Sequence, residues 1–138
     1  MKITDKPILL VEDDQVDVMT VKRALKELHV TNPVVNVENG EEALIYLRNA
    51  GNEKPCVILL DLNMPIMNGI EFLQVAKNDG LLKHIPVLAL TTSEEPQDKA
   101  SCFALGVADY IAKPVDYRQF VEIMRNIEGY WTNSEVAQ

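Results

Sequence analysis

Cysteine is scarce. The chain of 138 residues has two, Cys56 and Cys102. They form no Cys-x-x-Cys and join no Cys/His cluster of metal-ligand spacing, which argues against a thiol-ligated metal site. They read as buried, reduced thiols of a cytosolic protein. Long apolar runs are missing as well. Nothing approaches the ~18 apolar residues that cross a bilayer, so no membrane association is expected. The opening Met1-Lys2-Ile3-Thr4-Asp5-Lys6-Pro7 lacks the apolar core of a signal peptide. There is no internal repeat and no low-complexity segment. Basic residues are in deficit, with 13 Lys and Arg against 21 Asp and Glu and a net charge of -8. Phosphate contacts need clustered Lys and Arg, so direct nucleic-acid binding is disfavoured. The acidic surplus suits solubility, a cation site or a partner with a basic surface.

What remains is an ordinary globular composition, 47% hydrophobic and 25% charged. The length supports one domain with a sizeable core. We read residues 1–138 as one domain, with its core at about 6–131 and a polar, fraying tail at 132–138.

Five apolar runs punctuate the chain. Ile8-Leu9-Leu10-Val11 ends in Glu12-Asp13-Asp14, and a helical pattern of Val18, Val21, Leu25 and Leu28 follows. Pro33-Val34-Val35-Asn36-Val37 precedes an Asn39-capped helix with Ala43, Leu44 and Leu47 on its buried side. Val57-Ile58-Leu59-Leu60 runs into Asp61-Leu62-Asn63-Met64-Pro65. Asn68 and Glu71 then form a capping box for a helix that buries Ile70, Leu73 and Ala76. Pro86-Val87-Leu88-Ala89-Leu90 ends in Thr91-Thr92-Ser93. Glu94-Glu95-Pro96 opens a helix with an Ala100, Phe103 and Ala104 stripe, which Gly106 ends. Ala108-Asp109-Tyr110-Ile111-Ala112 leads to Lys113-Pro114. A helix capped by Asp116, with Gln119, buries Phe120, Ile123, Met124 and Ile127.

Strand-helix alternation of this kind predicts an α/β fold: a parallel sheet with five helices over both faces. Ligands of such sheets sit beyond the carboxyl ends of the strands. The first strand delivers Glu12, Asp13 and Asp14 there. The third delivers Asp61, the fourth Thr91, Thr92 and Ser93, and the fifth Lys113. The second brings only Glu38 and Asn39 and belongs at an edge. Asp61 alone would serve equally as a turn residue. The set is what makes a site.

Clustered carboxylates repel one another, and a hard divalent cation removes that cost. Mg²⁺ takes oxygen ligands, one or two carboxylates and phosphate oxygens. Glu12, Asp13 and Asp61 supply the acids. Lys113 and Thr91 supply the charge and the donor that a phosphoryl group needs, with Thr92 an alternative to Thr91. The carboxylate nearest the metal can act as nucleophile and form an acyl phosphate.

The motifs Leu10-Val11-Glu12-Asp13-Asp14, Asp61-Leu62-Asn63-Met64-Pro65 with Asn68-Gly69, Leu90-Thr91 and Lys113-Pro114 resemble the receiver domain of bacterial two-component response regulators. The resemblance covers nearly the whole chain. The stretches Lys113-Pro114-Val115-Asp116, Gln119-Phe120, Ile127-Glu128 and Tyr130-Trp131 are similar to stand-alone regulators that partner phytochrome-type sensor histidine kinases. The resemblance implies a flavodoxin-like, doubly wound sheet of order 2-1-3-4-5 and a cytoplasmic signalling protein that is not a metabolic enzyme, although it assists its own phosphorylation and dephosphorylation. It implies that Asp61 accepts a phosphoryl group from a sensor histidine kinase. Asp13, Asp61 and the backbone carbonyl of Asn63 would ligate Mg²⁺, with Glu12 acting through water. Lys113 would bind phosphate, and Thr91 and Tyr110 would be the switch pair, Thr91 rather than Thr92 by its spacing to Lys113. The peptide before Pro114 would be cis. Output would pass through the fourth helix, fifth strand and fifth helix to a downstream protein. Asp109 and Arg118 resemble charges used in receiver homodimers. Thr92 departs from the family's usual Ala or Gly, and Asn63 and Ser93 hold positions that tune acyl-phosphate lifetime.

Other readings fare worse. A phosphohydrolase with an aspartyl-phosphate intermediate places an acid two residues after its nucleophile, where Asn63 stands and cannot donate a proton as an acid. A flavin or nucleotide module needs a phosphate-cradling loop after the first strand, and Glu12-Asp13-Asp14 would repel it. Asp17 reads as part of a helix start. His29 and His84 are isolated, Met64 and Met67 are packing residues, and Trp131 packs the last helix.

Overall fold

The computed structural model describes residues 6–80, 82–92, 95–113 and 116–132. In chain order the elements are β1 (Ile8–Val11), α1 (Gln15–Glu27), β2 (Val34–Val37), α2 (Gly40–Arg48), β3 (Val57–Leu60), α3 (Gly69–Lys77), β4 (Val87–Thr91), α4 (Pro96–Ala104), β5 (Asp109–Ala112), α5 (Tyr117–Asn126) and α6 (Gly129–Thr132). The strands form one sheet in the order β2-β1-β3-β4-β5. Every neighbouring pair is parallel. This is the doubly wound, flavodoxin-like arrangement. Among the described residues no helix is long and apolar enough to cross a membrane.

The apolar runs are continuous because both faces of the sheet are covered, and the pleat divides each run by alternation. Leu9, Val11, Ile58, Leu60, Val87 and Ala89 join a core with residues of α2, α3 and α4. Ile8, Leu10, Val57, Leu59, Leu88 and Leu90 join a second core with residues of α1, α5 and α6. Fully burying one such aliphatic side chain contributes roughly 1.5–3 kcal/mol. The central strands β1, β3 and β4 are therefore the rigid frame. Their carboxyl ends carry Glu12, Asp61 and Thr91.

Helix starts follow their caps. The Asp14 side chain accepts from the Val16 and Asp17 amides, and Asn39 accepts from Glu42. Asn68 and Glu71 form the expected reciprocal capping box. Asp116 caps α5 by accepting from Arg118 and Gln119. Gly106 follows the α4 C-cap with φ 87°, a left-handed conformation that favours glycine.

Three packing expectations change. On α4 the residue turned inward is Cys102, while Ala100, Phe103 and Ala104 are exposed. Two alanines define a face weakly, and Val107 and the partly buried Leu105 pack with Cys102 in the same core. On α3 the innermost side chain is Phe72, with Ile70 only half-buried. On α1 and α5, Ala24 and Val121 are buried, while Leu28, Ile123 and Ile127 are half-buried. On α1, α3 and α5 the expected residues Val18, Val21, Leu25, Leu73, Ala76, Phe120 and Met124 stay buried, and the buried stripe widens to one side.

Six helices are present among the described residues rather than five. The addition, α6, follows α5 directly. Trp131 is fully buried in the α1–α5 core, and a turn closed by Trp131 N–H donating to the Glu128 carbonyl brings it there. Thr132 thus ends a helix instead of starting the tail. The cis peptide expected at Lys113-Pro114 lies outside the described residues. So do Glu94, Ser93 and the tail at 133–138.

Candidate functional site

The site begins with backbone. The Asp61 amide donates to the Val11 carbonyl at 3.0 Å, and the Glu12 amide donates to the Val37 carbonyl at 2.9 Å. These bonds extend the parallel ladder one step past the strands. They bring Glu12 and Asp61 together above β1 and β3. Both are buried, at 2% and 9% exposure, whereas Asp13 is exposed. Glu12, Asp13 and Asp61 each offer a carboxylate oxygen, and the three oxygens lie within 4.8 Å of one another.

The turn after Asp61 is tightly built. Its Oδ1 accepts from the Asn63 amide at 3.4 Å. The Gly69 amide donates to the Leu62 carbonyl at 3.1 Å. A Cβ on Gly69 would stand 2.5 Å from the Asp61 carbonyl oxygen, so only glycine lets α3 start this close to the site. Ile66 in the same turn adopts φ 67° and is 77% exposed. That backbone conformation is uncommon for a β-branched residue.

Lys113 reaches the site from the end of β5. Its amide donates to the Thr91 carbonyl at 2.7 Å. Its Nζ donates to Glu12 Oε1 at 2.6 Å and to Asp17 Oδ2 at 3.0 Å. Glu12 Oε2 accepts from the Asp14 amide at 3.2 Å. Burial pushes the Glu12 carboxyl up to about 7; Lys113 pulls it down, and the Asp61 charge adds to the rise. For Lys113, burial alone would lower the ammonium pKa. Hydrogen bonds to Glu12 and Asp17, with the charges of Glu12 and Asp61, outweigh it and raise the pKa. Lys113 is therefore the counter-charge of this acidic cluster.

Thr91 is the last residue of β4 and is fully buried, whereas Thr92 is exposed. The two neighbouring hydroxyls therefore differ in environment, with Thr91 inside the strand end and Thr92 at the surface. Tyr110 lies on β5 opposite Ala89, half-buried against the α2–α4 core. Glu12, Asp13, Asp61, Thr91 and Lys113 thus share one end of the sheet. Tyr110 sits two residues inside it, and Asn63 is exposed in the turn beyond Asp61.

Two contributors escape a sequence reading. Asp17 is at the start of α1, as expected, but its carboxylate also holds Lys113. Asn36 lies on β2, and its Nδ2 donates to the Leu10 and Glu12 carbonyls at 3.1 Å. It fixes the backbone that presents Glu12. The available signal was a lone polar residue among the valines of β2.

The donor set has the chemistry for a hard divalent cation: it is all oxygen, carries several negative charges and reaches solvent through the exposed Asp13. Asp61, Asp13 and Glu12 are the residues that can hold one, and an exposed Asn63 leaves its carbonyl within the same turn.

Known proteins resemble this chain in sequence and fold. The response regulator receiver domain family matches residues 8–125. Response regulator Rcp1 of Synechocystis is 34% identical over 130 residues, which is 91% of this chain and 88% of that protein. The Mn²⁺-bound form of Rcp1 superposes with a TM-score of 0.85 at 31% identity, covering 96% of this chain and 99% of that one. The phosphorylated cyanobacterial phytochrome response regulator RcpA gives a TM-score of 0.83 at 40% identity, over 92% of this chain and 94% of that one. With its sheet order, its strand-end acids and this extent of likeness, the chain belongs to the response regulator receiver domain family.

Proposed function

We propose that Asp61 is the phosphoacceptor of a single receiver domain formed by residues 1–138, charged by a sensor histidine kinase in the cytoplasm. The observation that carries this reading is the meeting of Glu12, Asp13 and Asp61 oxygens within 4.8 Å beside Lys113 and the buried Thr91. A carboxylate oxygen of Asp61 forms a bond to phosphorus while the donor's N–P bond breaks. The electron pair of that bond returns to the imidazole of the phosphohistidine. Asp13, Asp61 and the Asn63 carbonyl would hold Mg²⁺, with Glu12 acting through water, and the bound ion would supply positive charge between the carboxylates and the phosphoryl oxygens. Phosphorylated RcpA and Mn²⁺-bound Rcp1 support both parts of this reading.

Lys113 and Thr91 then bind phosphoryl oxygens. Thr91 turning toward them leaves space beside β4 that Tyr110, half-buried on the neighbouring strand, enters. This couples a local charge to the α4-β5-α5 face, which passes the signal to a downstream protein or to a second copy through Asp109 and Arg118. Both charges are exposed. The same acids and Lys113 assist eventual hydrolysis of the acyl phosphate. The phytochrome regulator RcpA, at 40% identity, supports a phytochrome-type kinase as the donor. Exposed Val16 and Met19 on α1, with Ile66 beyond Asp61, give that kinase apolar surface around the site.

Incubation with Mg²⁺ and acetyl phosphate tests the reading. Wild type gains the mass of one phosphoryl group, and Asp61→Asn gains none. No gain in wild type, or an equal gain in the variant, contradicts it.

A further inference from the structure

Asp17 is the acid at this site that the acyl-phosphate chemistry does not use. It stands outside the Glu12, Asp13 and Asp61 cluster. Yet it binds the Lys113 ammonium at 3.0 Å, across 96 residues of sequence. Among the described residues the acids within ion-pair distance of Lys113 are Glu12 and Asp17. Asp61 is not one of them, although its charge acts on Lys113.

The directions of these contacts differ. Glu12 bonds the ammonium at 2.6 Å and its carboxylate lies within 4.8 Å of that of Asp61, so it stands on the Asp61 side of Lys113. Asp17 is outside that cluster and its side chain is 37% exposed, against 3% for Glu12, so it stands on the solvent side. It shares with Lys113 a cavity of about 280 Å³ between α1 and α5, lined also by Thr20, Arg23, Tyr117 and Phe120. A lysine that moves inward to a phosphoryl group on Asp61 must give up an outward partner at 3.0 Å. The flexible four-carbon stem and three donors of lysine allow that exchange.

We propose that Asp17 is a positioning residue that latches Lys113 outward in the unphosphorylated protein and competes with the phosphoryl group for its ammonium. The latch ties the start of α1 to the state of the site, because the ion pair between them exists in the resting state alone.

This inference rests on Asp61 as phosphoacceptor and Lys113 as phosphate ligand. Beryllofluoride, a phosphoryl mimic, separates the two claims when titrated at saturating Mg²⁺ and followed by fluorine NMR. Asp17→Asn binds beryllofluoride roughly two- to fivefold more tightly than wild type, the size of one partly exposed ion pair. Mg²⁺ affinity without the mimic stays the same, because Asp17 is not a metal ligand. Asp17→Glu, which keeps the carboxylate, stays closer to wild type. Asp17→Ser gives the same comparison should the amide variant not fold. Equal or weaker binding by the neutral variants, with wild type binding normally, overturns the latch alone. Wild type that fails to bind the mimic overturns the latch and the phosphoacceptor reading together.

Discussion

The two ends of β3 carry a buried thiol and a buried carboxylate. Cys56 precedes the strand at 6% exposure, and Asp61 follows it at 9%. Burial is nearly the same, and the chemistry is opposite. At the amino end Cys56 Sγ meets the Pro7 carbonyl at 3.6 Å. Burial pushes that thiol up to about 11, so it stays protonated. At the carboxyl end Asp61 meets Glu12 and Asp13 and lies within the field of the Lys113 ammonium. Four aliphatic residues, Val57–Leu60, separate an inert group from a reactive one. Burial sets a cost for charge at both ends; the neighbours at the carboxyl end are what make charge useful there.

The largest expected effect removes the reactive end. Asp61→Asn abolishes phosphoryl uptake and leaves far-UV circular dichroism intact. If the variant still accepted phosphate, the contrast between the two ends would vanish. Next comes the strand between them. Leu59→Ala, at a fully buried position, costs roughly 2–5 kcal/mol in urea unfolding. A cost below that range would mean that the frame carrying Asp61 is softer than its packing indicates. Glu12→Gln weakens Mg²⁺ binding on the order of 10–100-fold, as expected for a group that orients a metal's shell. Calorimetry measures it, and unchanged affinity would remove Glu12 from the site.

The smallest effect sharpens the inert end. Burial raises Cys56, and burial with the nearby Asp98 raises Cys102, each to about 11. At pH 8 only about one thousandth of each thiol is then thiolate. A disulfide-forming thiol reagent therefore reacts slowly with native protein and quickly in urea. Fast reaction of the native protein would show that the amino end is not sealed.

Much of this is legible in the sequence, for a physical reason. A strand covered on both faces must be apolar throughout, so β1, β3 and β4 announce themselves. Their first polar residues, Glu12, Asp61 and Thr91, then mark the functional end. Caps such as Asn39 and the Asn68–Glu71 pair read locally, because capping spans three residues. What stayed hidden lacked a local pattern. The face of α4 is ambiguous in sequence because alanines at positions 100 and 104 fit exposed and buried sites alike. The single turn of α6 is too short for a period, and Trp131 is drawn inward by packing alone. The Asp17–Lys113 pair joins residues 96 apart, and no spacing rule connects them.

The central claim is chemical and sits on one atom group: the Asp61 carboxylate becomes the acyl phosphate. Borohydride reduces an acyl phosphate of aspartate to homoserine and so marks its position permanently. Protein treated with Mg²⁺ and acetyl phosphate, reduced and sequenced by tandem mass spectrometry, is predicted to carry homoserine at position 61. Homoserine at position 13 or 17 instead, or at none of the three, would contradict the account.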